Sequence, residues 1–392
     1  MKALVLGMGL QGRAVIHDLE QSPIIREIWA ADMNFEQAQS YVEAKGYAKT
    51  KVIELNACQK TELSKVIHDS GANIIICMLP PDFGYPVAKM ALDSKIPFVS
   101  SSYAGKVIEL DAEAQMNRVA ILPEMGMDPG IDLVLGRLAV DKLEEVHGLY
   151  SYGAGLPEPA CANDNPINYK ITWTFNGVLE TYKRAARFLK NGKEQCVSGE
   201  EIFNKEHGHM VEISGIGALE AYPNGDAIHY IDIFKLGESI RDMGRFALRW
   251  PGHSRFWRTM VQLGFLEDAP LDVGGVKISP RQFLVHHLTP KLQFSEDERD
   301  IVILRVKAWG VKQGKNCDIT YDLIDFRDVA SGLFAMNRTV GFTTSIAAQM
   351  ILSGKIKQTG VLSPALHVPP DDFIDQLKRR GMRVSCRVED TK

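Results

Sequence analysis

Lys2-Ala3-Leu4-Val5-Leu6-Gly7-Met8-Gly9-Leu10-Gln11-Gly12 is the stretch that decides the fold. A short apolar run meets three glycines spaced G-x-G-x-x-G, and a helical pattern through Ala14, Val15, Ile16 and Leu19 follows. The order is strand, glycine turn, helix. Gly7 permits the tight turn, Gly9 lets the backbone approach a pyrophosphate, and Gly12 allows close helix packing. Leu10, Gln11 and Gly12 open the helix, whose amides can donate to phosphates. A second buried run, Glu27-Ile28-Trp29-Ala30-Ala31, ends at Asp32, twenty residues after Gly12, the spacing of a ribose-binding acid. In this reading Asp32 accepts hydrogen bonds from two ribose hydroxyls and repels a 2'-phosphate, so NAD is expected in preference to NADP. The plainer alternative is an acid that only caps the next helix.

Further apolar runs at 51–55, 73–77, 96–99 and 119–122 alternate with polar or helix-patterned stretches. Such alternation predicts an α/β fold, a Rossmann-type doubly wound parallel sheet covered on both faces, over residues 1–145. Near residue 145 the pattern changes: a strand-like run at 146–152 leads into Gly153-Ala154-Gly155-Leu156-Pro157 and a long loop. Strands at 301–309 and 317–323, with helical patterns at 254–266 and 280–288, predict a second, α+β substrate domain over 146–334. Ala335–Leu352 places small and apolar residues at helical spacing, and 371–380 is a last patterned stretch.

Composition narrows the function. Of 392 residues, 45% are hydrophobic and 24% charged, the balance of an ordinary folded protein. Lys plus Arg number 45 against 49 for Asp plus Glu, a formal charge of -4 that disfavours nucleic acid as partner. The cysteines at 58, 77, 161, 196, 317 and 386 form no C-x-x-C pair and follow no secretory segment, so they read as reduced thiols of a cytoplasmic protein. No run of eighteen apolar residues predicts a membrane span. His207-Gly208-His209 and His286-His287 lack further ligands at metal-site spacing, so no metal is expected. A homodimer is expected because it is the commonest soluble assembly.

In a doubly wound sheet, ligands bind at the carboxyl ends of the strands. Asn56, Leu79, Ser100 and Ser101 stand at such ends and are assigned to the cofactor side; Ser102 and Tyr103 follow directly. A serine cluster is equally at home as a turn or cap. The most informative stretch is Glu124-Met125-Gly126-Met127-Asp128-Pro129-Gly130-Ile131-Asp132. Pro129 suits a first helical position, so Asp128 is expected to cap a helix beside the cofactor. There its carboxylate could also hold a substrate ammonium group.

The glycine fingerprint, Pro123 to Asp132, Ser151-Tyr152-Gly153-Ala154-Gly155-Leu156-Pro157, Tyr169-Lys170-Ile171-Thr172-Trp173, and Thr339-Val340-Gly341-Phe342 with Ile346-Ala347-Ala348-Gln349 resemble the saccharopine dehydrogenase family over nearly the whole chain. The resemblance implies an oxidoreductase that uses a nicotinamide cofactor to oxidise a C–N bond of an amino acid derivative. It also implies that the C-terminal segment, about 335–392, completes the Rossmann domain, and that Ser102, Tyr103 and Asp128 face substrate. Asp128 and Tyr103 are the implied catalytic pair, with Lys106 and His253 as weaker candidates for the base. The chain departs from the family pattern where Asn176 and Gly225 replace arginines and Gly153 replaces a cysteine. Asn176, Asn224 and Arg249 are therefore the expected substrate contacts, Arg249 as the replacement carboxylate anchor. Saccharopine, giving glutamate and aminoadipate semialdehyde, is the first substrate expected. The rivals are lysine or a small diamine, as in lysine 6-dehydrogenases, and a non-catalytic NAD-binding sensor.

Overall fold

The computed structural model describes residues 1–391. Its strands are β1 (Lys2–Leu6), β2 (Glu27–Asp32), β3 (Thr50–Glu54), β4 (Ile74–Cys77), β5 (Phe98–Ser100), β6 (Ala120–Leu122), β7 (Glu145–Pro157), β8 (Ala186–Lys190) and β9 (Lys193–Val197). They continue with β10 (His209–Ile213), β11 (Gly217–Pro223), β12 (Asp242–Arg249), β13 (Leu271–Val273), β14 (Val276–Ile278), β15 (Asp300–Lys312), β16 (Lys315–Phe326), β17 (Gly360–Val361) and β18 (Arg383–Asp390). Contacts divide the chain into two compact units, Met1–Arg137 with Asn337–Met382, and Leu138–Met336 with the residues from Arg383 onward.

The first unit holds a parallel sheet in the order β17-β6-β5-β4-β1-β2-β3, the doubly wound order with one strand added. Its strands are short and apolar on both faces because helices cover both; Leu4, Ile75, Phe98 and Ile121 are fully buried. The helix α1 (Leu10–Glu20) follows the glycine loop. Helix Ala335–Leu352 packs on the first unit, as the family resemblance implies, and lies so close to α1 that a Cβ on Gly341 would sit 2.6 Å from the Cβ of Ala14 and from the Gln11 carbonyl oxygen. Polar groups reinforce that apposition. Asp18 of α1 accepts from Ser345 at 2.6 Å and Gln349 at 3.0 Å, and pairs with Arg380 at 2.5 and 2.9 Å.

The second unit is built on a nine-stranded mixed sheet, with β7 at its centre between β12 and β15. Arg305 of β15 grips Asp322 and also donates to the Glu212 carbonyl of β10 at 2.8 Å, so the sheet curls far enough to bring these separated strands together. The register sets Arg245 beside Ser151 and Ala247 beside Gly153, which puts Ser151, Gly153, Arg245 and Arg249 on one face.

Three expectations are revised here. Strand β7 does not end at Tyr152; Gly153 and Gly155 pair with Leu304 and Val302, and their missing side chains do not interrupt the ladder. Residues from Arg383 onward join the second sheet, because β18 finds its partner in β16 from Cys317↔Asp390 to Ile324↔Arg383. Pro129 is not a first helical residue. The Asp128–Pro129 peptide is cis, and the loop closes on itself through Gly126 N–H to the Pro129 carbonyl at 2.9 Å, so the helix begins at Ile131.

Candidate functional site

In the glycine loop each glycine answers a different steric demand. Gly7 has φ of 95°, and a Cβ there would lie 2.9 Å from the Met78 carbonyl oxygen. A Cβ on Gly12 would lie 1.9 Å from the carbonyl oxygen of Gly7, so α1 could not start where it does. Around Gly9 nothing lies within 4 Å of that position, leaving an open cradle in front of the first amides of α1. A cavity of about 220 Å³ adjoins it, lined by Met8, Leu10, Arg13, Asp32, Asn34 and Gln37 among others. The bare backbone, the helix N-terminus and this cavity fit the pyrophosphate and adenosine ribose of a dinucleotide.

Asp32 lines the cavity with both oxygens engaged. Oδ2 accepts from the Met8 N–H at 2.6 Å and Oδ1 from the Asn34 N–H at 2.8 Å, which braces the loop. Arg13 lies over the Tyr41 ring at 4.6 Å and also lines the cavity, a cation the sequence reading left without a role. Asn56 is exposed and closes a turn by accepting from the Cys58 N–H at 3.1 Å, while Leu79 packs on the core of the parallel sheet.

At the ends of β5 and β6 two loops are stitched together. Met125 N–H donates to the Ser100 carbonyl and Glu124 N–H to the Ser102 carbonyl, both at 2.9 Å. Oε1 of Glu124 accepts from the Ala104 N–H at 3.3 Å. Tyr103, 39% exposed, is thus held from both flanks; Ser101 and Ser102 are half-buried beside it. Glu124 adopts φ of 64°, unusual for a residue with a side chain and typical of sites whose surroundings enforce it. Nothing in the sequence marks Glu124 beyond its place in the Pro123–Asp132 stretch. Thr344 donates to the Met125 carbonyl at 2.7 Å, and Asp132 accepts from the Gly130 N–H at 2.7 Å. Asp128 sits half-buried in this tightly closed loop. Lys106 is exposed on the following 3-10 turn.

The second unit holds a different chemical feature. Arg249 is buried at the end of β12, among Tyr169, Tyr182, Tyr222, His253 and Trp257. It donates to the Leu248 carbonyl at 2.8 Å and to the Tyr182 phenol, and its Nε–H has no partner. Tyr169 Oη and Trp257 Nε1, both buried, are likewise without partners. The nearest acid across the ladder, Glu220, is spent on the Gly252 and Ser254 amides at the start of helix His253–Gln262. Among the described residues no carboxylate pairs with Arg249. Burial raises the phenols of Tyr169, Tyr182 and Tyr222, keeping them neutral. Burial, then the charge of Arg249, holds His253 well below the usual histidine range. With its Nε2 2.8 Å from the Tyr182 hydroxyl, His253 is a neutral member of this cluster and no free base.

Asn176 does not join the cluster. It is exposed and accepts from Arg281 at 2.9 Å in a surface network with Asp268 and Glu180. Asn224 is half-buried, its N–H bound to the Arg245 carbonyl at 2.9 Å, and Gly225 turns the chain at φ of 73°. Tyr182, Tyr222 and Trp257 escaped the sequence reading, and Tyr169 entered it only within a family motif, because the four converge from segments up to 88 residues apart. Among the described residues no three His, Cys, Asp or Glu side chains gather as a metal site, and no helix is long and apolar enough to cross a membrane.

A doubly wound sheet with this glycine cradle defines the dinucleotide-binding class of fold, here accompanied by a second compact unit. Two family models match the chain, the Saccharopine dehydrogenase NADP binding domain over residues 3–122 and the Saccharopine dehydrogenase C-terminal domain over 126–382. The chain belongs to the saccharopine dehydrogenase family. It is 27% identical to the saccharopine dehydrogenase [NADP(+), L-glutamate-forming] of Saccharomyces cerevisiae, with 96% of each chain covered. It is also 27% identical to the mitochondrial alpha-aminoadipic semialdehyde synthase of Mus musculus, covering 97% of this chain and 47% of that one. The solved apo saccharopine dehydrogenase (L-Glu forming) of S. cerevisiae superposes with a TM-score of 0.85 at 26% identity, covering 99% of both chains. The protein is therefore an oxidoreductase acting on the CH–NH group of an amino acid derivative.

These findings overturn the expected preference for NAD. The matching nucleotide-binding model is an NADP one, and the yeast relative is named for NADP(+). Asp32 lines the cavity beside Arg13, whose positive charge the glycine-and-acid spacing does not register.

Proposed function

We propose that the protein oxidises saccharopine with NADP, yielding glutamate and aminoadipate semialdehyde. The observation that carries this reading is the buried, uncompensated guanidinium of Arg249. A buried charge without a counter-charge is expensive, and a substrate carboxylate would supply both the charge and the acceptor that Arg249 Nε, Tyr169 Oη and Trp257 Nε1 lack. A substrate bearing several carboxylates has use for such an anchor; lysine, with one, has less.

When bound, NADP would supply the hydride acceptor for the substrate carbon attached to nitrogen. In the cradle at Gly9 the amides of α1 would hold its pyrophosphate, and Arg13, Asn34 and Gln37, which line the adjoining cavity, would take its 2'-phosphate. An alkyl ammonium has a pKa near about 10, so the secondary ammonium must lose a proton before the nitrogen lone pair can form the C=N bond. Asp128 holds the ammonium form, and Tyr103, fixed through Ser102, Ala104 and Glu124 and open to solvent, relays the released proton to water; such transfer contributes roughly 10²- to 10⁴-fold. Water then adds to the imine carbon, and cleavage of the C–N bond releases amine and aldehyde.

The test follows NADPH formation with saccharopine, lysine and smaller diamines at equal concentration. Saccharopine should give the highest kcat/KM, and Arg249→Met should lower it by about 2–5 kcal/mol, roughly 30-fold to several thousandfold, with NADPH affinity unchanged. A tenfold preference for lysine, or an indifferent Arg249→Met, overturns the reading. Arg13→Ala should weaken NADPH at least tenfold and leave NADH nearly unchanged; equal losses for both would remove Arg13 from the 2'-phosphate.

A further inference from the structure

Helix α2 (Phe35–Lys45) borders the nucleotide cavity with Gln37 and Ala38, and one turn further on it carries Tyr41. The guanidinium of Arg13 lies over the Tyr41 ring, 4.6 Å from its centroid. Arg13 Nε–H donates to the Met8 carbonyl at 3.3 Å. Ring and carbonyl thus fix the guanidinium from two directions, and among the described residues its terminal nitrogens hold no hydrogen bond. No carboxylate pairs with Arg13 among those residues, although Asp32 lines the same cavity. The Tyr41 ring is itself backed. Tyr47 meets it edge-on at 6.0 Å and 75°, the Tyr47 hydroxyl lies 2.7 Å from His17 Nδ1, and His17 stacks on Phe342 at 6.1 Å and 13°. Arg13 and His17 share one face of α1, so a column that starts on helix Ala335–Leu352 ends under Arg13.

We propose that Tyr41 is the positioning residue that makes this cavity select a phosphorylated ribose, by holding the Arg13 guanidinium flat on its ring and away from Asp32. The inference rests on the reading of Arg13 as the 2'-phosphate ligand. An arginine side chain is long and flexible, and holding it in one geometry has an entropic cost. Without the ring, Arg13 is free to turn to the opposite charge in its own cavity. Pairing with Asp32 would occupy the guanidinium, and an incoming phosphate would meet a compensated pair instead of a cation. Stacking on Tyr41 uses the face of the guanidinium and leaves its N–H edge for two parallel bonds to phosphate oxygens. Asn34 and Gln37 add hydrogen bonds to the cavity but no charge, so the distinction between a phosphate and a hydroxyl falls to Arg13 and, through it, to Tyr41.

Fluorescence titration of the full chain with NADPH and with NADH gives the ratio of their dissociation constants, a ratio that a change in the folded fraction leaves unaltered. Tyr41→Leu should raise the NADPH constant about three- to thirtyfold, the range of a cation–π contact, and leave the NADH constant within about twofold. Tyr41→Met, which also lacks a ring, should repeat the loss, and Tyr41→Phe, which keeps the ring face, should match the wild type. In an Arg13→Ala chain, adding Tyr41→Leu should change neither constant. If Arg13→Ala loses NADPH selectively but Tyr41→Leu leaves the ratio untouched, the proposal is overturned and the 2'-phosphate reading stands. A Tyr41→Leu effect that persists undiminished without Arg13 overturns it equally. Equal losses of both cofactors in Arg13→Ala overturn the reading and the proposal together.

Discussion

Alanine at Gly9 should weaken cofactor binding and spare the fold, whereas alanine at Gly12, three residues on, should damage the fold itself. At Gly9 the backbone has φ of -62°, open to any residue, and the new methyl meets nothing within 4 Å. The change in stability should stay within about 1 kcal/mol. The methyl does fill the space through which a pyrophosphate reaches the α1 amides. Losing one charge-assisted hydrogen bond there removes about 1.5–3 kcal/mol, roughly a 10- to 150-fold rise in the NADPH dissociation constant. At Gly12 the added carbon would lie 1.9 Å from the Gly7 carbonyl oxygen, backbone against backbone. Relief requires moving α1 away from its loop, and overpacking of that kind costs about 1–3 kcal/mol or more. NADPH fluorescence titration, run beside thermal melts of both variants, separates the two effects. Unchanged NADPH affinity in folded Gly9→Ala would show that no phosphate passes over Gly9, and normal melting of Gly12→Ala would refute the packing argument.

Asp128→Asn should keep melting temperature and NADPH affinity but reduce turnover of the best substrate at least a hundredfold, since the amide preserves shape and removes the charge; a folding defect instead would assign Asp128 to the loop alone. Asp300, fully buried and accepting from the Ala335 and Met336 amides at 2.7 and 3.0 Å, has its pKa pushed up to about 6 by burial. The folded state therefore holds this proton where the unfolded chain has released it, and stability drawn from Asp300 falls as pH rises from about 4 to about 6, by about 3 kcal/mol in all. Melting curves of wild type and Asp300→Asn across that window should diverge with this sign; parallel curves would show that Asp300 titrates as an ordinary acid.

Much of the first unit was legible because the determinants are local. A strand that must turn within two residues, meet a phosphate and start a packed helix needs glycine at three set places, and each requirement is met within a dozen residues. The Ala335–Leu352 helix was assigned to the first unit through the family resemblance, its small residues at helical spacing allowing close approach, but that α1 receives it was not legible. Asp32 shows the limit of such reading: its position was legible, but its engagement by the Met8 and Asn34 amides was not.

By itself, then, the sequence determined the strand, turn and helix grammar, the glycine cradle, and the loops at the strand ends that carry Tyr103 and Asp128. Tertiary structure alone decided which charges are compensated. Arg249 and Arg281 look alike in the chain, yet one is buried among tyrosines without an acid and the other lies in a surface network with Glu180 and Asp268. It also decided that the C-terminal strand joins the second sheet, because β18 needs an edge to pair with and β16 presents one. The physical reason is common to both: backbone conformation answers to near neighbours in sequence, whereas charge compensation and strand partnership depend on groups that only folding brings within hydrogen-bonding distance.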